Sequence, residues 1–149
     1  MKPAVWFDSE HVQAAAGVVL ATPDGRLILQ LRDDIPSIDN PGMITGFAGQ
    51  AEPGESSVEC ALRELEEETG LRAAPEALHF LDAFSKPDRR GIMTANVFYL
   101  LTGVDPASLR VTEGRPIILS PAEVAADPRP TPFCKALAVK AADLIRPRG

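Results

Sequence analysis

Residues Gly49–Leu71 read GQAEPGESSVECALRELEEETGL, and the reading of the whole chain turns on this stretch. It joins a glycine-bracketed loop to the most clearly bounded helix in the sequence. Ser56 and Glu59 make an S-x-x-E capping box, in which side chains satisfy backbone amides left free at a helix start. Gly70 supplies the stop, because a residue without Cβ takes the left-handed conformation that closes a helix. The predicted helix is 57–69. Ahead of it, Gly49 and Gly54 bracket a tight loop and Glu55 stands just before the cap. Such a loop lets backbone approach a ligand closely, offering carbonyls to a metal or amides to phosphate.

Within the helix, residues 63–68 read RELEEE. Helical spacing predicts one apolar face carrying Val58, Leu62 and Leu65, and a separate face carrying Glu64, Glu67 and Glu68. Glu66 points elsewhere, into solvent. Like charges at i and i+4 cost a helix roughly 0.2–0.5 kcal/mol per pair, and the helix dipole disfavours anions near the C-terminal end. A hard divalent cation held by oxygen ligands offsets that cost, and Mg²⁺ or Mn²⁺ suits carboxylates. The competing interpretation is a solvated acidic face on which Arg63 makes an i, i+4 pair with Glu67.

Outward from the helix, residues 13–21 and 26–31 read as two strands joined by the turn TPDG, and 42–48 as a further extended segment. RDDIPSIDNPG between them is polar and proline-punctuated, hence a loop. Strands are expected at 78–84 and 92–102, joined by the basic turn SKPDRRG. A helix is expected at 131–145, with Thr131 as cap and Pro132 at its first position, and a short one after Ser120. Strands around a helix, followed by more strands and a terminal helix, predict an α/β chain with a mixed sheet covered by helices on both faces.

The chain has 149 residues, 45% hydrophobic and 24% charged, which fits a single domain, 1–149, with one core. The net charge of −6 argues against non-specific binding to a nucleic acid polymer. A phosphate substrate remains compatible, since a bound cation reverses the local sign. Cys60 and Cys134, with His11 and His79, lack zinc-ligand spacing, and both cysteines read as small buried hydrophobes. MKPAVWFDSEHVQ has no apolar signal core, and AAAGVVLA is far shorter than the roughly 20 residues of a membrane span. The expectation is a cytoplasmic protein with no membrane partner.

Gly49 through Leu71 resembles the Nudix box, G-x5-E-x7-R-E-U-x-E-E-x-G-U, where U is a bulky aliphatic residue. Gly49, Glu55, Arg63-Glu64-Leu65, Glu67-Glu68 and Gly70-Leu71 fill every fixed position. The resemblance implies a Nudix-like α/β/α sandwich that hydrolyses the diphosphate linkage of a small-molecule nucleoside diphosphate derivative, using Mg²⁺ or Mn²⁺. By the same resemblance Glu64, Glu67 and Glu68 are metal ligands, with the carbonyl of Gly49 as a further one. Glu55 and Arg63 interact across the box and hold its loop against the helix, as suits a guanidinium that grips a carboxylate in two places. The general base is Glu67 or Glu113, the latter because related members often carry a distal Glu in an EG-containing loop. Arg32, Arg89 and Arg90 are candidates for substrate phosphates. The resemblance also allows a homodimer. Two departures stand out. Ala48-Gly49 replaces a Gly-Gly pair, and Met43-Ile44 occupies the place of an aromatic residue, which puts substrate stacking near that strand in doubt. Two other readings share the box: a nucleoside triphosphate pyrophosphatase acting on non-standard nucleotides, and a non-catalytic nucleotide-binding regulator, which lost carboxylates would support and none are lost.

Overall fold

The computed structural model describes residues 12–38, 40–88 and 91–145. Seven strands form one sheet: β1 (Val12–Ala21), β2 (Leu27–Leu31), β3 (Ile44–Thr45), β4 (Phe47–Gln50), β5 (His79–Asp88), β6 (Gly91–Leu101) and β7 (Arg115–Leu119). Three helices accompany them: α1 (Ser57–Thr69), α2 (Pro121–Ala126) and α3 (Pro132–Leu144). The strand order is β3-β2-β1-β6-β5, with β4 on β1 and β7 on β2. β1 and β6 run parallel from Val12↔Ile92 to Ala21↔Leu101, and every other pairing is antiparallel, so the sheet is mixed.

Alternation along β1 divides the core into two layers, because successive side chains of a strand point to opposite faces. Ala16, Val18 and Leu20 pack with Cys60, Ala61 and Leu65 of α1. Val19 and Ala21 pack with Val124 of α2 and Leu137, Ala138 and Ala141 of α3. The result is the expected α/β/α sandwich.

The remaining edge of β1 forks. Ala15–Val18 pair with β4, while Leu20 and Ala21 pair with β2. The segment expected as one extended run, 42–48, therefore breaks at Gly46 into two short strands with different neighbours, β3 on β2 and β4 on β1. The expected basic turn SKPDRRG is mostly ladder. The β5–β6 hairpin stays paired out to Asp88↔Gly91. Strand β7 is not expected from the sequence, since Pro116 interrupts its short apolar run. It pairs only with β2, an edge position where a residue without N–H is tolerated.

Helix α1 has the expected bounds. Ser56 and Glu59 make the reciprocal capping box, and Gly70 closes the helix at φ 77°. Its inward face differs from expectation. Ser57, Cys60, Ala61, Leu65 and Thr69 are buried, while Val58 and Leu62 are only half-buried. At roughly 100° per residue, Glu64 and Glu68 fall inside that buried arc, not on a face opposite it.

Candidate functional site

Arg63 organises the loop before α1. Its Nε donates to Glu55 Oε2 at 2.7 Å and its Nη2 to Glu55 Oε1 at 2.9 Å, the two-pronged grip expected from the sequence. Nη2 also donates to the Gln50 carbonyl at 2.9 Å, and Glu55 Oε1 accepts from the Glu52 N–H at 2.9 Å. The loop is thus tied to β4 and to the helix through one side chain. Hydrogen bonding from Arg63 holds the Glu55 carboxyl below its ordinary value, and the same bond raises the Arg63 pKa. Glu52 stays at the rim, 4.0 Å from Arg63 Nε and largely exposed.

The third nitrogen of Arg63 reaches the acidic cluster. Nη1 donates to Glu64 Oε1 at 2.9 Å and to Glu67 Oε2 at 3.1 Å, so it stands between these two carboxylates. Glu64 and Glu68 lie side by side. Burial, a hydrogen bond to Glu64 and the charge of Glu64 push the Glu68 carboxyl well above the ordinary range, while the Arg32 charge and the Ala48 backbone oppose the rise. A cation bound between the two side chains would relieve that penalty on the charged form of Glu68. Glu66 faces outward and pairs with Arg72.

β4 presses against this pair. A Cβ built on Gly49 would stand 2.1 Å from the Glu64 carboxyl carbon and 2.3 Å from both of its oxygens. The Gly49 carbonyl accepts a weak bond from Cys60 Sγ at 3.6 Å. Burial pushes the Cys60 thiol up to about 12, so it stays protonated and inert. The replacement of a glycine by Ala48 is accommodated across the ladder. Its register partner is Gly17, where a Cβ would come within 2.6 Å of the Ala48 methyl.

Arg32 and Glu113 meet 2.9 Å apart, with 23% and 26% of their side chains exposed. The angle falls short of a hydrogen bond: Glu113 Oε1 and Arg32 Nε are both buried without a hydrogen-bond partner. Glu113 Oε2 accepts from the Asp33 N–H at 3.0 Å. The structure thus gathers Gly49, Glu55, Arg63, Glu64, Glu67 and Glu68 around one helix and brings Arg32 and Glu113 together beside it. Arg89 and Arg90 lie outside the described residues. Sequence reasoning missed Gln30 and Asp33, which bind the Glu113 segment. A buried glutamine inside the apolar run LILQL was the available signal.

Among the described residues, no group of three or more His, Cys, Asp or Glu side chains is drawn together into a metal-binding set. Arg63 Nη1 bonds both Glu64 and Glu67, so a cation joining those two carboxylates would have to displace it. The donor chemistry nonetheless fits a hard cation: the candidate ligands are oxygens only, and two of the carboxylates already crowd each other.

The model of the NUDIX domain family matches residues 11–131, and the chain belongs to that family of hydrolases. Nudix hydrolases generally use divalent metal ions. A Bacillus subtilis (strain 168) protein provisionally named an 8-oxo-dGTP diphosphatase is 40% identical over 62 residues. That match covers 42% of this chain and 38% of the Bacillus protein, well under half of either. Among solved structures, the MutT protein from Methanosarcina mazei Go1 superimposes with a TM-score of 0.73 at 16% identity, over 91% of this chain and 96% of that one. The ORF135 protein of E. coli gives 0.71 at 21% identity, over 93% and 94%. A C. elegans Ap4A hydrolase in a binary complex gives 0.67 at 16% identity, over 89% and 96%. At these identities the likeness is one of fold. No helix among the described residues is long and apolar enough to cross a membrane.

Proposed function

We propose that the chain hydrolyses the diphosphate linkage of a nucleoside diphosphate derivative. Glu64, Glu67, Glu68 and the Gly49 carbonyl would hold Mg²⁺ or Mn²⁺. The observation that carries this reading is Glu64 packed on Gly49 with Glu68 beside it, the charged form of Glu68 being opposed first by burial and then by Glu64. A folded protein that forces two carboxylates together gains most from a ligand that neutralises them. Once bound, the cation neutralises phosphate oxygens and lowers the pKa of the attacking water. Arg63 and Glu55 keep the loop and the carboxylates in register, and Arg32 offers the exposed part of its guanidinium to a phosphate oxygen. Glu67, more than half exposed at the cleft rim, takes the proton as water adds to phosphorus and the anhydride P–O bond breaks. The reading takes residues 1–149 as one cytoplasmic domain acting on a small molecule. Its assembly, with a homodimer as the expectation, is read by light scattering.

A second reading, pyrophosphohydrolysis of non-standard nucleoside triphosphates, is favoured by the name of the Bacillus relative. One panel separates the two. Nucleotide sugars, dinucleoside polyphosphates, ADP-ribose and nucleoside triphosphates, canonical and oxidised, are assayed with Mg²⁺ and with Mn²⁺. The first reading expects two monophosphate-bearing products, and the second a nucleoside monophosphate with pyrophosphate. Full activity after exhaustive chelation would sink both. Nucleotide binding without turnover of any substrate would point to a regulator.

A further inference from the structure

Arg32 leaves the end of β2 where two loops close on each other. Gln30 is buried in β2, and its Nε2 donates to the Glu113 carbonyl at 2.8 Å. The next residue, Gly114, has φ +67°, and a Cβ there would stand 2.1 Å from the Leu31 carbonyl oxygen. The Glu113–Gly114 turn therefore lies directly on β2. Two carboxylates then cross over. Glu113 Oε2 accepts from the Asp33 N–H at 3.0 Å, and Asp33 Oδ2 accepts from the Gly114 N–H at 3.2 Å. Behind Asp33 the loop closes on itself: Gly42 N–H donates to the Asp33 carbonyl at 3.0 Å, and Arg32 N–H to the Met43 carbonyl at 2.8 Å. Arg32 thus has a fixed backbone, an ion pair on one nitrogen and a buried, unpaired Nε.

We propose that Asp33 and Glu113 form a reciprocal clasp between the 32–43 loop and the 110–115 segment, and that this clasp holds the Arg32 guanidinium toward the Glu64–Glu68 carboxylates for a substrate phosphate. The assignment rests on the hydrolase reading above. It makes Asp33 and Glu113 positioning residues. Glu113 directs one oxygen to Arg32 and the other to a backbone amide, so it is placed as an anchor and not as the acceptor of a proton from water. The anchor fixes a guanidinium that stays 23% exposed and whose charge is felt at Glu68, so its free N–H groups can meet a phosphate beside the carboxylates.

Two measurements separate the existence of the clasp from its effect on phosphate binding. Hydrogen exchange reads the clasp without substrate. Glu113→Ala should speed exchange at the Asp33 amide, and Asp33→Ala at the Gly114 amide, each about tenfold, as expected for loss of a charge-assisted hydrogen bond. Unchanged exchange at both amides would overturn the clasp. Kinetics read the effect on phosphate binding. On any panel substrate that turns over, both alanine variants should raise KM about tenfold while kcat falls less, the pattern of lost binding rather than lost chemistry. Glu113→Gln keeps an acceptor for the Asp33 N–H and should recover part of the loss. The pH profile of kcat should keep its shape. If Glu113→Gln is as inactive as Glu113→Ala and a limb of that profile disappears, Glu113 is the proton acceptor and the assignment falls. If nothing in the panel turns over, the hydrolase reading fails by itself. Calorimetry with inorganic pyrophosphate and Mg²⁺ then decides whether the clasp serves phosphate binding. Weaker binding in both variants supports that role, and equal binding overturns it.

Discussion

Arg63 directs its three nitrogens to four acceptors, Glu55, Gln50, Glu64 and Glu67, and only a planar fork can serve them together. Arg63→Lys keeps the charge and loses the fork. Turnover should fall at least about tenfold, with faster amide exchange in residues 50–55. Unchanged turnover would leave Arg63 as a side chain on a solvated face. The clamp also sets an acid limit. Because the Glu55 carboxyl is lowered in the folded chain, its contribution is complete above the ordinary value of 4.5 and is lost as pH falls through the folded value. The melting temperature of Glu55→Gln should therefore depend less steeply on pH below 4.5 than that of the wild type, and equal slopes would argue against the clamp. Glu68 has the opposite sign. Its raised pKa means that the charged form is penalised by folding, so without metal Glu68→Gln should melt at the same temperature or higher, by a few tenths of a kcal/mol or more. It should gain less than the wild type from added Mg²⁺ and lose about a hundredfold in turnover. An intact Mg²⁺ shift and an intact rate would remove Glu68 from the ligand set. At this scale the Glu55–Arg63 pair was readable only through the resemblance to the Nudix box, with which a forked guanidinium gripping a carboxylate agrees. That one guanidinium would reach Glu64 as well as Glu67 was not readable, because it depends on side-chain geometry that spacing leaves open.

Helix α1 was readable to the residue because its ends are local chemistry: a capping box at one end and a left-handed glycine at the other. Its inward face was not. Large aliphatic residues marked only one side of it, where Leu65 is buried and Val58 packs on the core, whereas small ones, Ser57, Cys60 and Ala61, let the helix lie close enough to the sheet for Glu64 to touch Gly49. Two glycines opposite each other in function test this packing. A methyl on Gly17 would meet the Ala48 methyl and the Phe47 carbonyl, both 2.6 Å away and neither able to move freely. Gly17→Ala should cost about 1–3 kcal/mol of stability. A methyl on Gly49 meets only the end of the Glu64 side chain, which can swing aside. Gly49→Ala should melt within about 0.5 kcal/mol of the wild type and still lose at least about tenfold in turnover. Equal losses of stability in the two variants would mean that Glu64 is fixed by more than contact with the strand. β7 escaped notice for a related reason. Proline marks a break in a sequence, but on an edge strand it merely leaves one ladder position without a donor.

For the whole molecule, periodicity gave strands and helices but not their order. The resemblance of the box supplied the sandwich. The fork of β1, which sets the β4 end of the site beside the β2 end, joins segments whose meeting no local pattern encodes. Arg32, Gly49, Glu64, Glu68 and Glu113 come from four separate elements and loops, which is why spacing revealed the box and hid the clasp.

The parallel ladder between β1 and β6 pairs residues that lie eighty positions apart, from Val12↔Ile92 onward. During synthesis β1, the central strand, therefore waits for β6. At ribosomal rates of about 5–20 residues per second, that wait lasts roughly 4–16 seconds. Over that interval the apolar run AAAGVVLA has only its β2 and β4 partners, and the edge later covered by β6 stays open to other chains. Nascent chains halted before residue 91 should remain protease-sensitive across β1, whereas chains whose first 101 residues have cleared the ribosomal tunnel should gain protection there. Early protection would show that β4 and α1 shield the strand alone. The same delay leaves an open apolar strand edge of the kind that makes newborn chains prone to aggregate.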